Sequence, residues 1–211
     1  WEDGAPPAPD GAQFPHLYGA LALDAVEAAL LRGRVAAALG DTVAAERELR
    51  RVVADVDRLG LAELAVAAWS ALAFAGSDAG DLGAAELAAR LGLAEALRRD
   101  DRVAAVELGT LAQRISILRG DLAAADAVEA DLARATAGAA EHDWRARVAI
   151  VSTRASRLRA AGQLDLADAA AREALDLTAA ALGDGHPELW ASEYRLAAIA
   201  FGRGETARAR D

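Results

Sequence analysis

Residues 162–204 read GQLDLADAAAREALDLTAAALGDGHPELWASEYRLAAIAFGRG, and the short string that opens this stretch decides the fold. The string is Gly, then an acidic residue or Gln, then three variable residues and Ala. It occurs five times in the chain, starting at Gly40, Gly80, Gly120, Gly162 and Gly204. The spacings are 40, 40, 42 and 42 residues. Such a constant register is typical of a protein built from stacked structural repeats.

Each repeat glycine lies between two helical segments, because apolar residues on either side recur at spacings of three and four residues. We expect the glycine to end the first helix in the left-handed conformation. The acidic residue after it favours the start of the second helix through the helix dipole, and the Ala five positions on allows close packing. No proline interrupts residues 17–186. The sequence therefore predicts an all-α protein, a right-handed α-solenoid of stacked helical hairpins.

The repeat glycines also predict where the helices begin and end. The first helices of the hairpins are predicted at 18–39, 61–79, 101–119, 143–161 and 187–203. The second helices are predicted at 42–59, 82–98, 122–137 and 164–182. The chain begins with Trp1 and ends inside what would be the next helix, so we expect it to be an excerpt of a longer protein with flanking domains.

Two regions of different composition are predicted. Residues 1–16 hold four of the five prolines and are predicted to form an extended linker. Residues 17–211 are predicted to form the repeat domain. Its repeats are predicted near 18–59, 60–99, 100–140, 141–183 and, truncated, 184–211.

The composition excludes several kinds of site. The chain has no Cys, which rules out disulfides, thiolate metal sites and a catalytic thiol. Its formal net charge of −10 disfavours direct binding to nucleic acid, which needs clustered positive charge. The absence of Lys and Asn, whose codons are rich in A and T, indicates a GC-rich bacterial genome. Because no signal peptide or membrane-spanning stretch is evident, we expect a cytoplasmic protein without a membrane partner.

Catalytic and metal chemistry are not expected. The three histidines, His16, His142 and His186, lack the close helical spacing of a zinc pair, and His186 is expected to form a hydrogen bond within its loop. No nucleophile motif is present, and the many carboxylates fall on regular exposed helical faces. We therefore predict no enzyme activity, no cofactor and no metal.

Two further groups of residues are predicted to be structural. The basic run in the fourth hairpin is expected to form an outer face joined by salt bridges rather than an RNA-binding patch; it comprises Arg145, Arg147, Arg154, Arg157 and Arg159. Trp69, Trp144 and Trp190 are expected to fill the interfaces between hairpins.

The hairpin pattern resembles the tetratricopeptide repeat (TPR), in which a small residue occupies position 8, Gly position 15 and Ala position 20. With each repeat glycine at position 15, Ala occupies position 20 in all five repeats. Position 8 holds Gly33, Ala73, Gln113, Ala155 and Ala197. The large aromatic residue usual at position 11 is replaced by Ala36, Gly76, Ser116, Leu158 and Ala200. The loop at 182–187, LGDGHP, is similar to that of the kinesin-light-chain-like subclass.

The resemblance implies a concave groove that is lined by positions 2, 5, 6, 9, 12 and 13 of each first helix and binds extended peptides. In this chain the corresponding candidates are Glu27, Arg34, Ser70, Phe74, Glu107, Thr110, Arg114, Ser152, Ser156, Arg159, Tyr194, Arg195 and Phe201. Four arginines in this set suit an acidic peptide or a terminal carboxylate, and the three aromatic residues suit stacking. The alternative is that the arginines are solvated or pair with Glu27 and Glu107.

Three functional hypotheses remain open at this point. The first is a non-catalytic interaction or sensory scaffold that binds a peptide segment or a partner domain in the groove. The second is a structural spacer whose groove is filled intramolecularly, and the third is a domain that senses a small molecule. The resemblance implies a host such as a bacterial transcriptional regulator or a Ser/Thr kinase.

Overall fold

The computed structural model describes residues 15–136 and 143–205, which form nine α-helices, one 3-10 turn at Pro187–Leu189 and no strand. The first helices of the hairpins are α1 (Pro15–Ala38), α3 (Ala62–Asp78), α5 (Arg102–Leu118), α7 (Trp144–Ala160) and α9 (Trp190–Gly202). The second helices are α2 (Thr42–Leu59), α4 (Leu82–Arg98), α6 (Leu122–Thr136) and α8 (Leu164–Leu182).

The predicted helix boundaries agree closely with the structure except at two first helices. Helix α1 begins at Pro15, inside the segment predicted as a linker, and proline is well tolerated in the first turn of a helix. Helix α9 begins at Trp190 because residues from Pro187 form the 3-10 turn. Predictions for Trp1, His142 and Ala209 lie outside the described residues.

The turn inside each hairpin has the predicted glycine conformation, and the turns of the first three hairpins also have a side-chain cap. Gly80 has φ of +79°, and the other repeat glycines lie between +74° and +79°, a region that favours glycine. The carboxylate of Asp81 then accepts a hydrogen bond of 3.0 Å from the Ala84 amide, which satisfies one of the free N–H groups at the start of α4. Asp41 and Asp121 cap α2 and α6 in the same way.

Small residues at the predicted positions bring the two helices of each hairpin together. The alanines at position 20 are fully buried in all four hairpins where the structure describes them; these are Ala45, Ala85, Ala125 and Ala167. At position 8, a Cβ on Gly33 would lie 2.7 Å from Leu49 Cδ2, so only glycine fits without movement of the Leu49 side chain. Gln113 is the large exception at position 8. It is buried, and its amide donates to the Glu129 carboxylate at 3.2 Å.

Consecutive helices pack against each other, and each odd-numbered helix also contacts the next odd-numbered helix. The odd-numbered helices therefore form one layer of the solenoid and the even-numbered helices the other. His186 holds the loop before α9, because its Nδ1 accepts a hydrogen bond of 3.2 Å from the Glu188 amide, as predicted.

The apolar core of the described residues has three sections: α1–α3, α3–α6 and α7–α9. Between the second and third sections, ion pairs join α6 to α7. Glu129 of α6 accepts from Arg154 at 2.8 Å and from Arg157 at 3.1 Å, and Asp126 pairs with Arg157 at 3.0 Å. A mostly buried carboxylate with several partners holds this junction together.

The small residue at position 11 makes room for a second buried carboxylate. Glu86 of α4 is only 7% exposed and accepts a hydrogen bond of 2.8 Å from Ser116. It also forms an ion pair with Arg119. An aromatic residue in place of Ser116 would remove that hydrogen bond and fill the space of the carboxylate. The departure from the usual repeat pattern is therefore coupled to an ion pair between repeats.

Candidate functional site

Two adjacent cavities lie along the layer of odd-numbered helices and share Phe74 and Glu107. The large cavity has a volume of about 860 Å³ and is lined by α3, α5, α7, α8, the 3-10 turn and α9. The small cavity has a volume of about 610 Å³ and is lined by α1, α3 and α5, with Asp101 beside them. We call the surface formed by the two cavities the groove.

Most of the predicted groove residues line one of these cavities. Those in the large cavity are Phe74, Glu107, Thr110, Arg114, Ser152, Ser156, Arg159 and Arg195. Arg34 and Ser70 line the small cavity. Glu27, Tyr194 and Phe201 line neither. Tyr194 stacks on Trp190, with ring centroids 5.9 Å apart, and Phe201 is 70% exposed.

The arginines of the described residues fall into two groups. Most of them lie within ion-pair distance of a carboxylate, and these pairs join neighbouring turns of one helix or neighbouring helices. Six have no such partner among the described residues: Arg34, Arg114, Arg145, Arg147, Arg159 and Arg195. Five of the six, all but Arg147, line the groove.

This distribution corrects two expectations from the sequence. No described groove arginine forms an ion pair with Glu27 or Glu107, so the pairing alternative is wrong. The basic run on α7 is not a single outer face either. Arg154 and Arg157 pair with α6, whereas Arg145 and Arg159 line the large cavity, because residues on one helix point in different directions.

Arg195 is the most enclosed of the unpaired arginines that line the groove. Burial lowers the pKa of its guanidinium, which is the effect expected of a partly desolvated cation without a nearby carboxylate. Arginine nevertheless stays protonated at neutral pH. One N–H group donates to the Ala191 carbonyl at 3.0 Å. The remaining donors of Arg195 are available to a ligand in the cavity.

The two cavities carry charges of opposite sign. The large cavity is lined by four arginines and two glutamates, namely Arg114, Arg145, Arg159, Arg195, Glu107 and Glu188. The small cavity is lined by one arginine and four acidic residues, namely Arg34, Glu63, Asp78, Asp101 and Glu107. The groove is therefore basic along its larger part and acidic at the end formed by α1 and α3.

The tryptophans behave differently from one another. Trp69 is partly buried and packs against the core of the second section, as predicted. Trp144 lines the large cavity and lies under the Arg145 guanidinium at 4.4 Å. Trp190 is 68% exposed, so the prediction that it fills a hairpin interface is wrong. It begins α9 at the rim of the large cavity, where no following helix covers it within the described residues.

Sequence reasoning missed several residues of the large cavity. Trp144 and Arg145 lie before the first position of the TPR motif, because α7 begins one turn earlier than the motif does. The helix predicted at 143–161 was the available signal, because it includes both residues. Pro187 and Glu188 of the 3-10 turn also line the cavity. Thr178 of α8 and Ser192 of α9 line it as well.

The described residues contain no group of three or more His, Asp or Glu residues arranged to hold a metal ion. Within the same part of the chain, no helix combines the length and the apolar character needed to cross a membrane.

Comparison with solved structures finds the same architecture. One similar structure is the crystal structure of nearly identical TPR-like repeats from a Podosopora anserina protein described as a kinesin light chain. It has a TM-score of 0.66 and 19% identity, with 88% of this chain and 90% of that chain covered. A point variant of that protein gives a TM-score of 0.68 at 19% identity, covering 88% and 89%. No family model and no curated protein matches the sequence. The chain therefore has the fold of a TPR-like helical-repeat solenoid.

Proposed function

We propose that this chain is a non-catalytic scaffold that binds an acidic peptide segment of a partner protein in the large cavity of its groove. The observation that carries the proposal is the set of arginines without ion-pair partners. In a protein with a formal net charge of −10, carboxylates are in excess, yet four arginines that line one cavity have no ion-pair partner among the described residues.

The dimensions of the cavity suit a short extended segment. Arg145 and Arg159 lie fourteen residues apart on α7, which corresponds to about 21 Å along the helix. An extended chain advances about 3.3 Å per residue, so about six residues span that distance. Guanidinium groups bind carboxylates in a bidentate manner, and four of them along six residues match a segment with two or three acidic side chains.

The rest of the lining favours a segment that also carries apolar side chains. Trp144, Leu111 and Val148 line the cavity beside the arginines. Phe74 is 37% exposed where the two cavities meet. Buried apolar contacts supply affinity, and the charged contacts supply orientation and selectivity.

The test is a double charge reversal in the large cavity. We expect Arg114→Glu with Arg159→Glu to weaken binding of a six-residue peptide rich in Glu and Leu at least a hundredfold, because two attractive contacts become repulsive. Binding is measured by fluorescence anisotropy with a labelled peptide. Circular dichroism checks that the variant keeps its helical content.

The matched control makes the same change in net charge outside the groove. Arg134→Glu with Arg147→Glu alters α6 and α7, but neither residue lines a cavity. The control is expected to reduce affinity by no more than about threefold through general repulsion, since exposed charges are screened by salt. Equal losses in the two variants would refute the groove as the binding site.

We also propose that the scaffold belongs to a larger cytoplasmic bacterial regulator. The absence of Lys and Asn, whose codons are rich in A and T, supports a bacterial host with a GC-rich genome. The predicted linker at 1–16, whose last two residues begin α1 instead, and the predicted repeat boundaries are part of the same proposal. Limited proteolysis of the host protein would test the boundaries.

A further inference from the structure

The large cavity reaches the second layer of helices at one place. Thr178 of α8 is the one residue from an even-numbered helix in the described lining of this cavity. Ser152 of α7 and Ser192 of α9 also line the cavity. The exposed fractions of Ser152, Thr178 and Ser192 are 4%, 2% and 2%. We call these three residues, each from a different helix, the hydroxyl cluster.

The other repeats have apolar residues at the position of Ser192. Counted from the repeat glycine, its equivalents are Ala28, which is exposed, and Ala68, Leu108 and Ile150, which are buried. The position of Thr178 is less regular, since its equivalents are the buried Val56 and Ala96 and a second threonine, Thr136. A hydroxyl group replaces a core side chain at the last junction, where the cavity passes between α7 and α9.

The hydroxyl group of Ser152 is buried without a hydrogen-bond partner among the described residues. Thr178 Oγ1 donates to the Ala174 carbonyl at 2.8 Å, a bond within its own helix. Ser192 lines the same cavity. Leaving a buried hydroxyl unpaired costs free energy. A serine hydroxyl rotates between staggered positions and can turn towards a group that enters the cavity.

The charge beside the cluster is positive and uncompensated. Arg195 lies three residues after Ser192 on α9, so the two side chains share one face of the helix. Neither Glu107 nor Glu188, the two carboxylates in the described lining, lies within ion-pair distance of Arg195. The hydroxyls of Ser152 and Ser192 and the guanidinium of Arg195 therefore line one cavity in which no described carboxylate pairs with Arg195.

We propose that the hydroxyl cluster and Arg195 form a binding site for a single carboxylate group carried on an apolar body. The hydroxyls of Ser152 and Ser192 donate to the carboxylate oxygens, and Arg195 supplies the charge. The apolar body lies against Val148 and Leu111 of the same cavity. This site goes beyond the proposed function, because it requires only a carboxylate and not a peptide.

The carboxylate has two sources that share this chemistry: a free small acid or a glutamate side chain of a bound peptide. The experiment uses butyrate and phenylacetate as free acids, with butyramide and phenylacetamide as neutral counterparts. A peptide with one glutamate serves as the second arm. Calorimetry measures Kd, and the shift in Tm provides an independent readout.

We expect butyrate, phenylacetate or both to bind at least tenfold more tightly than the corresponding amide. Ser152→Ala and Ser192→Ala are each expected to weaken that binding about tenfold, as the loss of a hydrogen bond to a charged group does. Arg195→Met is expected to abolish it. Ser152→Ala is also expected to raise the Tm of the unliganded protein, because it removes an unpaired buried hydroxyl.

Ser70→Ala is the matched control, because Ser70 holds the same repeat position as Ser152 but lines the small cavity. It is expected to leave carboxylate affinity unchanged. Binding of the free acids identifies a small-molecule site, and binding of the peptide alone identifies a side-chain pocket. If Ser152→Ala and Ser192→Ala change the binding of neither probe, the site does not exist and the hydroxyls are merely hydrated.

The experiment distinguishes failure of the carboxylate site from failure of the proposed function. Arg114→Glu with Arg159→Glu tests the peptide and leaves the hydroxyl cluster intact. Free acids that bind to a protein with no affinity for acidic peptides would retain this site and remove the proposed function. Acidic peptides whose binding is unchanged in the serine variants would support the proposed function and refute this site.

Discussion

The two cavities of the groove are built from equivalent positions of the same repeat, yet their charges differ in sign. In the small cavity Glu63, Asp78 and Glu107 have no arginine within ion-pair distance among the described residues, and Arg34 is the one arginine in the described lining. In the large cavity four arginines without ion-pair partners face two glutamates. The repeat therefore fixes where side chains point, and the individual sequence of each repeat decides which charge they present.

The difference arises from where the paired charges lie. On α7, Arg154 and Arg157 point towards α6 and are neutralised by Glu129, whereas Arg159 points into the large cavity. Carboxylates behind the groove thus hold the junction between hairpins. Charges inside the groove are left for a ligand. The predictions below test this separation between structural and ligand-binding charges.

The largest effect on the free energy of unfolding is expected from Glu129→Ala. Its side chain is 16% exposed and accepts hydrogen bonds from Arg154, Arg157 and Gln113. Removing this mostly buried carboxylate leaves Arg154 without a carboxylate partner among the described residues and Arg157 with Asp126 alone. We expect the free energy of unfolding to fall by about 2–3 kcal/mol. The corresponding fall in Tm is about 5–10 °C.

Glu107→Ala provides the contrast, because Glu107 lines both cavities and has no ion-pair partner among the described residues. Its effect on the free energy of unfolding should lie within about 0.5 kcal/mol, as for most exposed sites. Urea denaturation of the two variants compares them directly. A cost for Glu107→Ala as large as that for Glu129→Ala would contradict the division between structural and groove charges.

Much of the architecture could be predicted from the sequence, because one left-handed glycine in each hairpin fixes the end of one helix and the start of the next. Gly80 and Asp81 illustrate this, since both backbone conformation and cap follow from residue type. Helix α9 was harder to place. Whether Trp190 is buried depends on which helices surround it, and its own local sequence does not reveal them.

The position of the groove could be predicted from the sequence, but the ion pairs around it could not. The register placed Arg114 and Arg159 on the face that lines the large cavity, since helical periodicity determines direction. The ion pairs between helices depend on side chains about thirty residues apart, such as Glu86 and Arg119. A single sequence gives no signal for such contacts, and the same holds for the unpaired hydroxyl of Ser152.

The next largest effect is expected on the affinity for a peptide that carries charges of both signs. We expect a peptide of about twelve residues, acidic in one half and basic in the other, to bind about fivefold to tenfold more tightly than one with a neutral second half. The gain comes from Glu63 and Asp78 in the small cavity, each contributing less than about 1 kcal/mol because exposed pairs are weak. Fluorescence anisotropy at about 0.1 M salt measures the difference.

Glu63→Gln with Asp78→Asn should remove this gain without weakening the peptide whose second half is neutral. Both substitutions keep the size of the side chains and remove only the charge. If the gain survives in this variant, the small cavity does not contribute its charge to binding. The comparison between the two cavities would then be a difference in composition without a functional consequence.

The smallest effect is expected from a substitution beside the large cavity that changes the free energy of unfolding but not the affinity for peptide. Gln163 precedes α8 and makes no side-chain cap, although its backbone torsions, −85° and 64°, resemble those of Asp81, −80° and 74°. Gln163→Asp should therefore place a carboxylate where it can accept from the Leu166 amide. We expect the protein to gain about 1 kcal/mol, measured by urea denaturation. Because Gln163 lines neither cavity, peptide affinity should not change, whereas a parallel change would show that binding depends on how well α8 is formed.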